Sequence, residues 1–263
     1  MGVTFVIITV GERVKELVAL LKSIGNQRRF DDYDINIMFQ GTKKQYEKLL
    51  NYTRFHNVDD KGYIANVFYE PKRLGCHTAR LRLLKLIKYD AYINLDDDML
   101  LVNQTDYSSP LQKIKEKDCG FVLTNWARSQ KILDIKIPKL KSIYKKQILC
   151  YNGGGMAYNN TIANLMRTLP EVPTKFDNAW SLTTYINGYT NYAYKGSVAL
   201  HFVLRSDGMQ QFNRENPIEL MCSEFINFVP KIRKTVLGET NYKIPADVDV
   251  NQVARNLHKT NKK

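Results

Sequence analysis

Ala91–Leu101 reads AYINLDDDMLL. Tyr92, Ile93 and Leu95 have the aromatic and β-branched content of a buried strand, and the run leads straight into Asp96, Asp97 and Asp98 before turning apolar again. Buried, unpaired carboxylates are costly, so acids held inside an apolar run need a counter-charge. A divalent cation is the simplest one. Mg²⁺ and Mn²⁺ take hard oxygen ligands, and Mg²⁺ commonly keeps one or two carboxylates together with substrate phosphates and water. Alternate acids at a strand end therefore suit a metal that in turn holds a diphosphate. A solvated turn after a strand is the plainer alternative, and the hydrophobic residues on both sides weigh against it.

Working outward, the upstream half alternates strands and helices. Val3–Val10, VTFVIITV, is a continuous apolar run, as in a strand buried on both faces of a parallel sheet. Gly11-Glu12-Arg13 follows, then a helix with Val14, Leu17, Val18, Leu21 and Ile24 at helical spacing and Gly25 as its stop. Asp34–Phe39 reads as a second strand ended by Gln40-Gly41, Lys43–Tyr52 as a helix, and Asn66–Tyr69 as a third strand. A loop through Arg73 and Gly75 leads to a helix over His77–Tyr89, with Leu81, Leu84 and Ile87 inward and Arg80, Arg82, Lys85 and Lys88 outward or toward a ligand. This alternation predicts right-handed βαβ units and a parallel sheet. Ligands of such sheets bind beyond the carboxyl ends of the strands, where Val10-Gly11, Gln40-Gly41 and Asp96–Asp98 all fall.

The downstream half is more mixed. Gly120–Asn125 reads as a strand, and Ile132–Leu149 as a lysine-rich strand or flap. Gly153-Gly154-Gly155 precedes the strand-like segment Met156-Ala157-Tyr158, and adjacent glycines admit close backbone approach to a ligand. Thr161–Leu169 is a helix closed by Pro170. Phe176 opens another that runs to Gly188, with Asp177 a natural N-cap. Tyr192–His201 is a final strand, and Pro217–Val229 is amphipathic.

Composition sets outer bounds. The chain has 263 residues, 44% of them hydrophobic, enough for a real core in one large α/β domain or a domain with an extension. No apolar run approaches the ~20 residues that cross a bilayer, and no signal peptide is evident. Cys76, Cys119, Cys150 and Cys222 lack CxxC spacing, which argues against zinc or a disulfide framework and for a reducing, cytoplasmic setting. Lys+Arg number 39 against 26 Asp+Glu, a net charge of +13. Lys131–Lys146 alone holds six lysines and a single acid, Asp134. Such a field favours a polyanionic partner, whether nucleic acid, anionic membrane or phosphorylated substrate.

In order and spacing these segments resemble a GT-A glycosyltransferase of the family 2 type, over roughly Val3 to His201. VTFVIITVGERVKELVALLKSI resembles the opening strand, nucleotide-facing turn and helix. KRLGCHTARLRLLK resembles the glycine-then-Ala-Arg segment, INLDDDM the DxD strand, and GGGMAY the acceptor-side glycine segment. Two departures stand out. Gln40-Gly41 replaces the usual base-reading acid, and Phe176-Asp177-Asn178 carries one acid where the family has a pair.

The resemblance implies a fold and a chemistry. The fold is a Rossmann-like GT-A domain over residues 1–212, with a mostly parallel sheet flanked by helices, and a helical, basic extension over 213–263. The chemistry is inverting sugar transfer from a nucleotide-sugar, a UDP-sugar favoured, with Mn²⁺ or Mg²⁺ as cofactor. Asp98 and Asp96, with His201, would hold the metal. Thr9, Val10, Gly11, Arg13, Gln40, Arg73, Gly75, Arg80, Asp96 and Asp97 would bind the donor, Arg80 on the phosphates and Asp97 on the sugar. Asp177 would be the catalytic base, and Trp126, Gly153, Gly154, Gly155, Met156 and Trp180 would face the acceptor. An N-cap and nothing more is the competing account of Asp177, and a structural histidine that of His201. Three readings of the acceptor side stay open: a lipid-linked or surface glycan with the enzyme peripheral to a membrane, a hydroxylated DNA base, or a basic nucleic-acid-binding domain without catalysis.

Overall fold

The computed structural model describes residues 2–27, 33–55, 65–103, 105–129, 143–147, 154–171 and 176–202. Its strands are β1 (Val3–Val10), β2 (Tyr33–Gln40), β3 (Asn66–Glu70), β4 (Ala91–Asp96), β5 (Met99–Leu100), β6 (Cys119–Ser129), β7 (Tyr144–Gln147), β8 (Met156–Asn159) and β9 (Thr190–Phe202). Its helices are α1 (Val14–Gly25), α2 (Lys43–Phe55), α3 (Cys76–Leu86), α4 (Ser108–Lys113), α5 (Asn160–Arg167) and α6 (Phe176–Ile186), with a single 3₁₀ turn at Gly11–Arg13.

All nine described strands join one sheet in the order β3-β2-β1-β4-β8-β6-β9-β5, with β7 also on β9. β3, β2, β1 and β4 are parallel, as the apolar strands and intervening helices predict. Val10 pairs with Gln40 and Ile8 with Asp96, so the three expected ligand-facing turns share one edge. β8 then runs antiparallel to both β4 and β6, which gives the downstream half its mixed character.

β4 and β5 are separated in the chain only by Asp97-Asp98, yet by three strands in the sheet. On a flat sheet they would stand about 19 Å apart at about 4.8 Å per strand spacing. The steps from Asp96 to Met99 reach at most about 10 Å. The sheet must therefore curl, and the acid turn is the seam across which its ends approach.

Helices cover both faces. Leu17, Leu20, Leu21 and Ile24 of α1 pack with Phe5, Ile7, Ile35 and Ile37 in one core layer. Ala79, Leu83 and Leu84 of α3, Ile162 and Met166 of α5 and Trp180 of α6 fill the other with Val6, Tyr92 and Tyr158. Burying each large apolar side chain contributes about 1.5–3 kcal/mol.

Several local expectations change. Gly25 lies inside α1 at ordinary helical geometry, and Asn26 caps the end. α3 stops at Leu86, short of Tyr89, because Ile87 is already extended. α5 begins at Asn160 and is capped by the Asn159 side chain, which accepts from Ile162 N–H. Asp177 is the second residue of α6, inside the first turn rather than its N-cap. Pro217–Val229, the 213–263 extension, Gly153 and most of the lysine-rich 131–146 segment lie outside the described residues.

Candidate active site

β4 ends by carrying its acids into the turn at the sheet's carboxyl edge. Asp96 Oδ1 accepts from Arg80 Nη2 at 2.8 Å, and Arg80 is 1% exposed. Asp97 points inward: Oδ2 accepts from Thr9 Oγ1 at 2.8 Å and Oδ1 from Arg13 Nη1 at 2.8 Å. Arg13 also reaches Asp98 Oδ2 at 3.0 Å. Burial pushes the Asp97 carboxyl up to about 6 in spite of the Arg13 guanidinium beside it.

His201 arrives from β9. Its Nε2 lies 3.1 Å from Asp98 Oδ1, and Asp96, Asp98 and His201 each offer a donor atom within 4.8 Å of the others. β5 makes this meeting possible, because Met99 pairs with His201 in the residue step right after Asp98. Two carboxylates and one imidazole form an oxygen-rich donor set that suits Mn²⁺ or Mg²⁺, and Asp98, 6% exposed, meets Arg13 through Oδ2 and turns Oδ1 toward His201. The residues fit the metal. Trp126 stands beside them with its ring centroid 5.2 Å from that of His201.

Gly154 presses against Asp96, and Gly155 against Asn94 and Thr124. A β-carbon on Gly154 would stand 2.7 Å from Asp96 Oδ2 and closer still to Met99 Sδ. Gly155 has φ 82°, donates to Asn94 O at 2.7 Å, and leaves no room for a side chain against Thr124 Oγ1. Only glycine meets both demands cheaply.

Several expected ligand contacts are otherwise engaged. Arg80 is spent on Asp96 beneath the site, so it stands as a support for that acid rather than a phosphate clamp. Thr9 and Asp97 bind one another, which holds Asp97 inward at 4% exposure. Gln40 Oε1 accepts from Leu74 N–H at 2.7 Å and so ties down the loop before α3. Trp180 is fully buried, stacked on Phe121 and donating Nε1–H to His77 Nδ1, so it is core and not acceptor wall. Met156 is buried in that same layer.

Other expected positions stay on the ligand edge. Val10 and Gly11 are half-buried there, and the Gln45 amide lies over Gly11 where a β-carbon would stand. Gly75, with φ 78°, sets the turn into α3. Arg73 Nη2 donates to Glu12 Oε1 at 2.6 Å and bridges the 3₁₀ turn to that loop. Asp177 is half-buried at the head of α6. The half-buried Cys76 thiol, pushed up to about 11 by desolvation, feels both Asp96 and Asp177.

The Glu12–Arg73 bridge and the Arg80 support are what sequence reasoning missed. For Arg80 a signal existed. His77, Arg80 and Leu84 follow helical spacing, which puts the arginine on the apolar face of α3. No local pattern announces the Glu12–Arg73 bridge, which spans distant turns.

Comparison with known proteins agrees on architecture. No family model and no curated protein matches the sequence. Among solved structures, S. aureus TarS 1-349 in complex with UDP-GlcNAc is similar at a TM-score of 0.64 and 13% identity, covering 96% of this chain and 69% of that one. The same TarS fragment in complex with UDP gives 0.57 at 14% identity, covering 96% and 77%. The mannosyltransferase PcManGT from Pyrobaculum calidifontis, in complex with GDP-Man and Mn²⁺, gives 0.61 at 11% identity, covering 98% and 70%. With the strand order and the acid turn at the carboxyl edge, these likenesses identify the architecture: the chain is built on the GT-A glycosyltransferase fold.

Proposed function

We propose that the chain is a metal-dependent glycosyltransferase that moves a sugar from a nucleotide-sugar, a UDP-sugar favoured, to an acceptor hydroxyl. The observation that carries this reading is the meeting of Asp96, Asp98 and His201 at the carboxyl edge of a GT-A sheet. When bound, Mn²⁺ or Mg²⁺ supplies Lewis-acid neutralisation of the departing diphosphate. Asp98 and His201 would hold it, with Asp96 completing the set. Arg80 keeps Asp96 in place, and Arg13 and Thr9 keep the turn from collapsing. The turn at Val10-Gly11 and the Arg73 loop would take the nucleoside.

Asp177, at the head of α6, would accept the proton of the attacking hydroxyl as the acceptor oxygen bonds to the anomeric carbon and the carbon–diphosphate bond breaks. That displacement inverts the centre. Trp126 beside His201 would offer the acceptor an aromatic face. The favoured acceptor is a lipid-linked or surface glycan. The net charge of +13 supports work at an anionic membrane surface from the cytoplasmic side. Among the described residues no helix is long and apolar enough to cross a membrane.

The test is turnover of a panel of UDP-, GDP- and dTDP-sugars with and without Mn²⁺, for the native chain and Asp98→Asn, beside Mn²⁺-dependent nucleotide binding by calorimetry. Metal-dependent turnover or binding of one donor, lost in the variant, supports the reading. Absence of both overturns it and leaves a basic binding domain. Salt-sensitive retention on duplex DNA at physiological ionic strength would move the acceptor to a DNA base.

A further inference from the structure

A second cleft lies away from the acids, between α4, β7 and β9. It has a volume of about 370 Å³ and is lined by Ser109, Gln112, Lys113, Glu116, Tyr144 and Tyr194. That is within the range of about 300–1,000 Å³ typical of small-molecule sites. Its floor is aromatic: Tyr144 stacks on Tyr194 with centroids 4.8 Å apart and meets Tyr192 edge-on at 6.2 Å. Lys113 Nζ lies 4.3 Å from the Tyr192 ring and 5.4 Å from that of Tyr144, and donates to Glu116 at 2.6 Å. Hydroxyl, amide, ammonium and carboxylate groups thus ring a tyrosine floor.

Charge decides which ligand class this suits. Among the cleft's lining groups Lys113 pairs with Glu116 at 2.6 Å, so the lining itself carries no net charge for a phosphate, although the chain as a whole is strongly basic. An apolar ligand would cover the Gln112 amide without giving it a partner. A neutral saccharide satisfies both demands, with ring C–H groups against tyrosine and hydroxyls bonded to the rim.

Position points the same way. Tyr192, Tyr194 and Ala199 share a core layer against which Trp126 and Tyr144 pack, so the cleft and the His201 site lie on one side of the sheet. On β6, which pairs with β9, the interval between them runs from Thr124 opposite Tyr194 to Arg128 opposite His201. That is on the order of 13 Å along the strand at about 3.3 Å per residue; Tyr194 and Ala199 are buried, so a short oligosaccharide joining the two would run outside this layer.

We propose that the α4–β7–β9 cleft binds a neutral saccharide, the distal part of a glycan acceptor whose end lies beside His201. The acceptor role rests on the proposed transferase function; saccharide binding in the cleft does not.

The test is binding of neutral oligosaccharides (gluco-, manno-, galacto- and N-acetylhexosamine tetramers) to the full chain without donor or metal, by saturation-transfer NMR and calorimetry. Sulfated and phosphorylated counterparts complete the panel. At least one neutral tetramer should bind. Gln112→Ala, on the exposed face of α4, should weaken it about fivefold, the effect of one lost hydrogen bond. Tyr144→Ala should weaken it on the order of tenfold through the lost aromatic surface. Glu116→Gln should shift preference toward the anionic counterparts by uncovering Lys113. Binding of no neutral tetramer, equal binding by native chain and Gln112→Ala, or native preference for anionic glycans would overturn the proposal. Donor turnover is read separately. Lost saccharide binding with intact turnover defeats the cleft alone, and lost turnover with intact binding defeats the transferase alone.

Discussion

At Arg80 a guanidinium occupies a position where the spacing of α3 calls for an apolar side chain. It is 1% exposed and fixed on Asp96, whose side chain is 29% exposed. Removing one partner of a fully buried pair costs about 3–5 kcal/mol because the other charge is left uncompensated. Asp96 keeps some water, so the expected loss for Arg80→Met is smaller, about 1–3 kcal/mol in urea denaturation, together with weaker Mn²⁺ binding by calorimetry. Arg80→Lys keeps the charge without the planar fork and should recover part of both losses. An unchanged urea midpoint and metal affinity in Arg80→Met would show that the pair supports nothing.

His77 makes a different prediction on the same helix. Trp180 Nε1–H donates to its Nδ1, so the Nε2–H of a neutral ring donates to Pro170 O. Burial holds its pKa down from 6.5 to about 4. Between those two values the unfolded chain binds a proton that the folded chain refuses, so stability falls as pH drops from 6.5 towards 4. The loss is on the order of 3 kcal/mol. In His77→Gln the acid-side slope of stability against pH should flatten over that window; the same slope in both proteins would put the titration elsewhere.

At the scale of elements, the short turn into β8 determines where Asp96 can sit. Gly154→Ala inserts a methyl group 2.7 Å from Asp96 Oδ2 and closer still to Met99 Sδ, so both the carboxylate and the Met99 side chain must shift. Mn²⁺ affinity should fall about tenfold or more, with a modest loss of stability of about 1–3 kcal/mol. Gly155→Ala adds a left-handed backbone penalty of about 1–2 kcal/mol to its own contact with Thr124. Unaltered metal affinity in Gly154→Ala would mean that Asp96 is free to move. The glycine run was visible in the sequence, but its purpose was not. It reads as a ligand-approach segment, whereas close approach here is to the acid strand, which no spacing within GGGMAY could reveal. The parallel strands were legible because each is an apolar run with a helix between it and the next. β7 was harder, since its tyrosine and lysines satisfy strand and flap patterns alike. Trp180 was misread for a related reason: an aromatic residue near a helix start carries no sign of which face it buries. His201 could be placed at a strand end, but only the curl of the sheet brings it to Asp98.

For the whole molecule, that curl decides how metal and stability are linked. Asp96 and Asp98 belong to the seam after β4, while His201 belongs to β9, which in sheet order lies beyond β8 and β6. A cation held by all three would tie the two ends of the curled sheet through side chains, in addition to the two-residue pairing of β5 with β9. Binding to the folded state alone stabilises by about 2.7 kcal/mol at a ligand concentration a hundred times Kd. In a chain of this size that is about 5–10 °C in Tm. Mn²⁺ with UDP should raise Tm by that order, and a chelator should reverse the rise. His201→Ala should lose most of the Mn²⁺-dependent increment while keeping whatever shift UDP gives alone, because the nucleoside is assigned to the β1 and β3 turns. Hydrogen exchange should show the same asymmetry, with metal-dependent protection at β5 and the His201 end of β9 in the native chain and none in the variant. A Tm rise of equal size in His201→Ala would detach β9 from the metal. The curl would then be held by β5 pairing and core packing, with Asp96 and Asp98 acting from the seam without it.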